Sequence, residues 1–264
     1  MKEKVKIKIG KIGTLPFYFN DKLIKKWNSD EFEIFDDINV KHITKRANIP
    51  IEKSQVDNGK KDHPLRYSDS ILENQVPENE GANFSIWITY MPLKGNYFVR
   101  RLSCNRVVLS YFGMYDILKN ELIPVENLLL RTIYRHILIY YKYDKLIPSH
   151  KDIPDIPFIH DDTRGCLFDM CVSTPDVVFF LNKPIICEEC IVKLKCEENV
   201  NTDTVMENRV NQIIKECSKK IKRGSYYKIV ALIKENPIRS LLLSALLGIL
   251  LNLIATAIYN FFFK

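Results

Sequence analysis

Four cysteines and a histidine crowd into one stretch of the chain, "HDDTRGCLFDMCVSTPDVVFFLNKPIICEEC", from His160 to Cys190. The spacing is His160-x5-Cys166-x4-Cys171-x15-Cys187-x2-Cys190. Structural zinc takes four soft or borderline donors in a tetrahedron, often as two short-spaced pairs that the fold brings together. Cys187-Glu-Glu-Cys190 is a good half-site, because two intervening residues let both sulfurs point at one ion. Pro184, just ahead of it, helps turn the chain into a knuckle. The other half has two solutions: Cys166 with Cys171, or Cys166 with His160. The remaining cysteines lack a matching partner. Cys104 and Cys217 read as packing residues, and Cys196 as a near-surface thiol.

Acid–base candidates are sparse. "HDDTR" (160–164) offers His160, Asp161 and Asp162 beside Arg164, and "TIYRHILIY" offers His136 alone. His160, Asp161 and Asp162 could form an unusual acid–base or metal cluster. The plainer expectation for the two aspartates is capping or an ion pair with Arg164, and for His136 a hydrogen bond in the core. There is no phosphate-binding glycine loop and no GxSxG nucleophile elbow.

The elements that must position these residues read as an α/β (α+β) arrangement with a mixed sheet and packed helices. Val5, Ile7 and Ile9 alternate with lysines, and "EFEIF" (31–35) alternates again, so both predict strands, with "DKLIKKW" a helix between them. Residues 51–82 are polar and turn-rich, a long surface loop with room for one short helix. "NFSIWITYM" (83–91) places Phe84, Ile86, Ile88 and Tyr90 on one strand face, and "NRVVLSYF" (105–112) suits an inner strand. "PVENLLLRTIYRHILIYYK" (124–142) predicts a central helix, apolar around most of its girth, with Pro124 near its first turn. A proline-bearing connector (143–159) follows. Met206, Val210, Ile213, Cys217 and Ile221 form one stripe of a later helix, placed either on the domain or against a second copy.

Two of these segments resemble the archaemetzincins, compact zinc-peptidase-like proteins. That family carries HExxHxxGxxH for a catalytic zinc, then CxxxxC and a distant CxxC for a second, structural zinc. Cys166-x4-Cys171 and Cys187-x2-Cys190 are similar to the second site in spacing. "ITYMPLKGNYFVRRLSCNRVVLS" (88–110) resembles the strand–loop–strand before the family's active helix, which would fall at Val125 to Tyr141. The resemblance covers residues 84–195 and implies a mixed sheet, a central helix and Cys166, Cys171, Cys187 and Cys190 as structural ligands. HExxH is absent. A peptidase zinc needs two histidines one helical turn apart, a third ligand and a carboxylate that activates water; His136 supplies one of these at most.

The C-terminal part has a different character. From Ser240 to Phe263 no residue is charged, a run long enough to cross a hydrocarbon core of about 30 Å as a helix. The net charge of +7 is concentrated just before it: eight lysines and arginines stand against two glutamates between Lys215 and Arg239. A membrane surface accounts for that basic stretch better than nucleic acid does, and with "SYYKIVALIKEN" (225–236) as an interfacial segment it predicts a single-pass tail anchor with the bulk of the chain in the cytoplasm. The opening "MKEKVKIKIG" has no apolar core of a signal peptide. Reduced cysteines in that compartment favour metal ligation over disulfides. Within the span, Ser240, Ser244, Gly248, Asn252, Thr256 and Asn260 recur every four residues, a small and polar ridge that predicts homo-oligomerisation.

The expected organisation is an N-terminal α/β part with its polar loop (1–82), a zinc-binding core (83–200), an amphipathic helix and basic juxtamembrane segment (201–238) and a transmembrane helix (239–263). Three functions follow. The first is a non-catalytic sensor, adaptor or effector on a degenerate metallopeptidase-like scaffold holding structural zinc. The second is a membrane-tethered hydrolase using His160 and its aspartates, or His136. The third is a membrane-permeabilising effector.

Overall fold

The computed structural model describes residues 4–35, 39–41, 66–154, 156, 159–171, 174–195, 200–224, 228–229, 233 and 236–263. Much of the 51–82 loop, Cys196 and most of the 225–236 segment lie outside them. The described chain divides into two compact units, Met1–Lys222 and Arg223–Lys264.

The first unit is built on a mixed sheet. Its strands are β1 (Val5–Ile12), β2 (Phe32–Ile34), β3 (Asn39–Lys41), β4 (Phe84–Thr89), β5 (Val99–Leu102) and β6 (Arg106–Ser110). The order is β2-β1-β4-β6-β5, with β3 following β2 along the same edge of β1, so six strands fill five positions. All neighbours run parallel except β5, which returns antiparallel on β6. A short helix α1 (Asp21–Lys25) follows β1, capped by the Asn20 side chain, which accepts the Leu23 N–H at 3.0 Å.

Parallel strands need cover on both faces, and both are covered here. Val5, Ile7, Ile9, Phe84, Ile86, Ile88, Val107 and Leu109 point into the main core. Helices α3 (Met114–Asn120) and α4 (Val125–Lys142) pack there, α4 buried from Glu126 to Tyr140. The opposite face carries Ile12, Trp87, Leu102 and Val108 beneath Leu72 of helix α2 (Asp69–Gln75). Lys8, one of the lysines alternating along β1, is buried and paired with Glu80 at 2.9 Å, because the second face is also closed. Gly10 sits beside Trp87 in the register, and a Cβ on Gly10 would come within 2.3 Å of the indole, so only glycine leaves room for the ring.

Three further helices complete the unit: the short α5 (Val177–Asn182) and α6 (Glu188–Lys195) and the long α7 (Val200–Lys220). The apolar stripe of α7 packs on the domain: Val210, Ile213, Cys217 and Ile221 are buried in the main core. Arg209 lies over the Tyr141 ring at 3.2 Å, and Tyr134 donates to Glu216 at 3.1 Å. Strand β4 ends at Thr89, which leaves Tyr90 half-buried beyond it. Cys104 departs from its expected role: it is exposed, in a left-handed turn between β5 and β6 (φ 54°), where no core reaches it.

The second unit is dominated by α8 (Pro237–Phe263), long and apolar enough to cross a membrane. Three of its ridge hydroxyls are satisfied within the helix: Ser240 donates to Pro237 O at 2.7 Å, Ser244 to Ser240 O at 2.9 Å, and Thr256 to Asn252 O at 2.9 Å.

Candidate metal centre

Local backbone bonds bring the two half-sites together. The Met170 N–H donates to His160 O at 3.0 Å and the Asp169 N–H to Cys166 O at 3.1 Å, folding residues 160–170 into a compact loop. Gly165 turns that loop with a positive φ of 75° just before Cys166. Cys166 then pairs with Ile185, and the Leu167 N–H donates to Ile185 O at 2.9 Å. Cys187 immediately precedes α6 and Cys190 lies in its first turn, so the helix start fixes the two sulfurs on one side.

The outcome is a cluster of His160, Cys166, Cys187 and Cys190, whose donor atoms all lie within 4.8 Å of one another. Zn–S bonds of about 2.3 Å and a Zn–N bond of about 2.0 Å at the tetrahedral angle require edges of roughly 3.8 Å between sulfurs and 3.5 Å between sulfur and nitrogen. Cys166 Sγ and Cys190 Sγ are 3.8 Å apart, and Cys187 Sγ is 3.4 Å from His160 Nε2. The four donors could hold a metal such as zinc.

A supporting layer fits the same purpose. His160 Nδ1 lies 2.9 Å from Asp162 O and 3.4 Å from Asp169 Oδ1, which directs Nε2 towards the sulfurs. Cys166 Sγ lies 3.8 Å from Cys190 Sγ and accepts from the N–H groups of Phe168 (3.5 Å) and Cys187 (3.4 Å). These contacts, the one with Cys190 foremost, hold the Cys166 thiol below its usual range, while Cys190 is pushed up. Asp169 Oδ2 accepts from the N–H groups of Arg164 (3.1 Å) and Cys166 (2.9 Å), while burial raises its pKa. Arg164 Nη1 reaches Cys187 Sγ at 3.6 Å and Glu189 at 2.9 Å, laying a positive charge against the thiol rim.

His160 therefore takes the fourth position that the spacing left open. Cys171, the ligand the family resemblance implied, is outside the set. It adopts a left-handed backbone (φ 54°), with its Sγ 3.7 Å from Asp169 O and 3.8 Å from Arg131 Nη2. The acid–base candidates do not converge. Asp161 is exposed. The Asp162 carboxylate is tied to Arg164, which holds its pKa below the usual range. His136 is buried on α4 with Nδ1 at 2.7 Å from Thr132 O, and burial with the nearby Arg135 charge lowers its pKa to about 3.

Sequence reasoning passed over Asp169, which the fold places under both His160 and Cys166, and the basic groups around α4. Arg131 and Arg135 are both buried there, one helical turn apart. The available signal was two arginines inside a helix otherwise apolar around its girth. Comparison of the chain with protein families, characterised proteins and solved structures finds no match.

Proposed function

We propose that this chain is a membrane-anchored, zinc-stabilised cytoplasmic protein that acts by binding rather than by catalysis: a sensor, adaptor or effector on a degenerate metallopeptidase-like scaffold. The observation that carries the reading is the closed donor set. Three sulfurs and one imidazole lie within 4.8 Å of one another, the ligand composition of a structural zinc site, whereas catalytic zinc keeps an open position. The other acid–base candidates are engaged elsewhere or exposed. A mixed sheet followed by a central helix is also what the archaemetzincin resemblance implies.

Helix α8 serves as the membrane span in this reading, with the basic residues from Lys215 to Arg239 on the cytoplasmic side. Its small and polar ridge brings copies together, Asn252 and Asn260 bonding across the contact.

Metal analysis of the full chain in detergent, beside a Cys187→Ser/Cys190→Ser variant, tests the reading. One zinc per chain, lost in the variant together with the cooperative unfolding transition, supports it. A second metal that survives the variant would favour a membrane-tethered hydrolase. No metal in the wild-type chain would remove the zinc reading.

A further inference from the structure

A second cluster lies on the sheet face that α4 covers. Arg101 of β5, Arg135 and His136 of α4, and His150 of the connector line a cavity of about 60 Å³, with Tyr97 and Met170 at its walls. A water needs roughly 10–15 Å³ by this measure, so the space suits a few water-sized atoms, about the heavy-atom count of one tetrahedral oxyanion. No aspartate or glutamate is among the described lining residues. The surroundings are cationic as well, since Arg131 stands one turn before Arg135 on the same helix.

The arginines differ in what they have left to give. Arg101 donates to Pro148 O at 2.8 Å, Ile153 O at 2.6 Å and Pro154 O at 3.0 Å, so it fixes the connector and lends the cavity its charge. Arg135 is only 9% exposed, and among the described residues its guanidinium meets no hydrogen-bond acceptor; the Phe168 ring lies 5.9 Å from it. A largely buried cationic fork with no protein acceptor is costly unless water or a ligand supplies one. His136 presents the opposite need. With Nδ1–H on Thr132 O, its Nε2 is an acceptor, and among the described residues no group donates to it. Burial keeps the ring neutral.

We propose that this cavity is a binding site for a hydrogen-bearing oxyanion of phosphate size, its charged oxygens on the Arg135 guanidinium and its O–H on His136 Nε2. The guanidinium fork matches two oxygens of a tetrahedral anion. A fully deprotonated anion such as sulfate satisfies Arg135 but sets an oxygen lone pair against Nε2. Hydrogen phosphate satisfies both groups. The site gives the sensor reading a ligand class, and it does not depend on the zinc centre.

The test is calorimetric titration of the full chain in a nonionic detergent, in phosphate-free buffer at pH 7, with inorganic phosphate, sulfate and chloride. Phosphate is expected to bind at least about tenfold more tightly than sulfate and to raise the unfolding temperature, with chloride weaker still. Arg135→Gln should abolish that binding while circular dichroism and metal content match wild type. If this variant does not fold, Arg135→Lys, which keeps the charge and loses the fork, should weaken phosphate by about tenfold. No phosphate binding by the folded chain, or wild-type binding in a folded Arg135 variant, would overturn the site. Equal binding of sulfate would overturn the role of His136.

Discussion

At the scale of single residues, the cysteines separate by environment more than by spacing. Cys166 and Cys171 both stand as candidate ligands in the sequence, yet the first accepts two backbone N–H groups on its sulfur beside Cys190 and the second turns away in a left-handed conformation. Cys171→Ser should therefore leave the metal content at the wild-type value, with a stability loss of about 1–2 kcal/mol from placing a hydroxyl in a buried site. Cys166→Ser should lose the metal. Metal content and a denaturant curve on each variant check both. His136 sets a pH dependence. Its folded pKa is near 3 and an unfolded histidine titrates near 6.5, so below about 6.5 the unfolded chain takes up a proton that the native chain refuses. Stability is lost progressively as pH falls from 6.5 towards 3, by about 2 kcal/mol at pH 5 from this residue. His136→Leu should remove that part of the slope, seen by comparing unfolding curves at pH 7 and pH 5 in phosphate-free buffer. The CxxC half-site was legible in the sequence because its two ligands lie close together along the chain. The fourth ligand was not, because the choice depends on how Gly165 and Asp169 fold the loop.

At the scale of elements, periodicity was a good guide where one face meets the core and a poor one where both do. The stripes of α4 and α7 read correctly from helical spacing. The alternation of β1 marked a strand but not its covered second face, because nothing in its own residues announces α2 on the far side. The price of that closure is concentrated at Gly10. Gly10→Ala drives a methyl into the Trp87 ring and should destabilise the fold by about 1–3 kcal/mol, measurable by urea unfolding. On α8 the ridge divides in two. The hydroxyls are already satisfied by their own backbone, so the asparagines must carry any association. Asn252→Leu/Asn260→Leu should weaken self-association in micelles by about 1–2 kcal/mol, whereas Ser244→Ala should do almost nothing; fluorescence transfer between labelled copies distinguishes them.

At the scale of the whole molecule, the two compact units differ in the surface each presents. The first closes its own core around a covered sheet. The second presents a helix whose uncharged run, Ser240–Phe263, is longer than a hydrocarbon core is thick. The full chain should float with lipid vesicles through a density gradient. Leu250→Arg, which puts a charge mid-span at a cost of about 2.5–3.5 kcal/mol, should reduce the floating fraction and leave the unfolding transition of the first unit unchanged. The apolar helix was legible from composition alone, because a long uncharged run needs no tertiary context to be recognised. The sheet order was not, since it depends on partners far apart in the chain.

That last fact bears on how the protein comes to be folded. Ile7 must find Phe84 before the centre of the sheet exists, a search across a long intervening stretch that holds α1, β2, β3 and α2. The metal cluster, by contrast, is assembled from residues confined between His160 and Cys190. The two halves of the domain thus nucleate on different clocks: a quick local closure around the knuckle and a slow long-range closure of the parallel strands. Between the two events α4 exposes an apolar face with no sheet to cover it, and that interval is when the nascent chain is most open to aggregation.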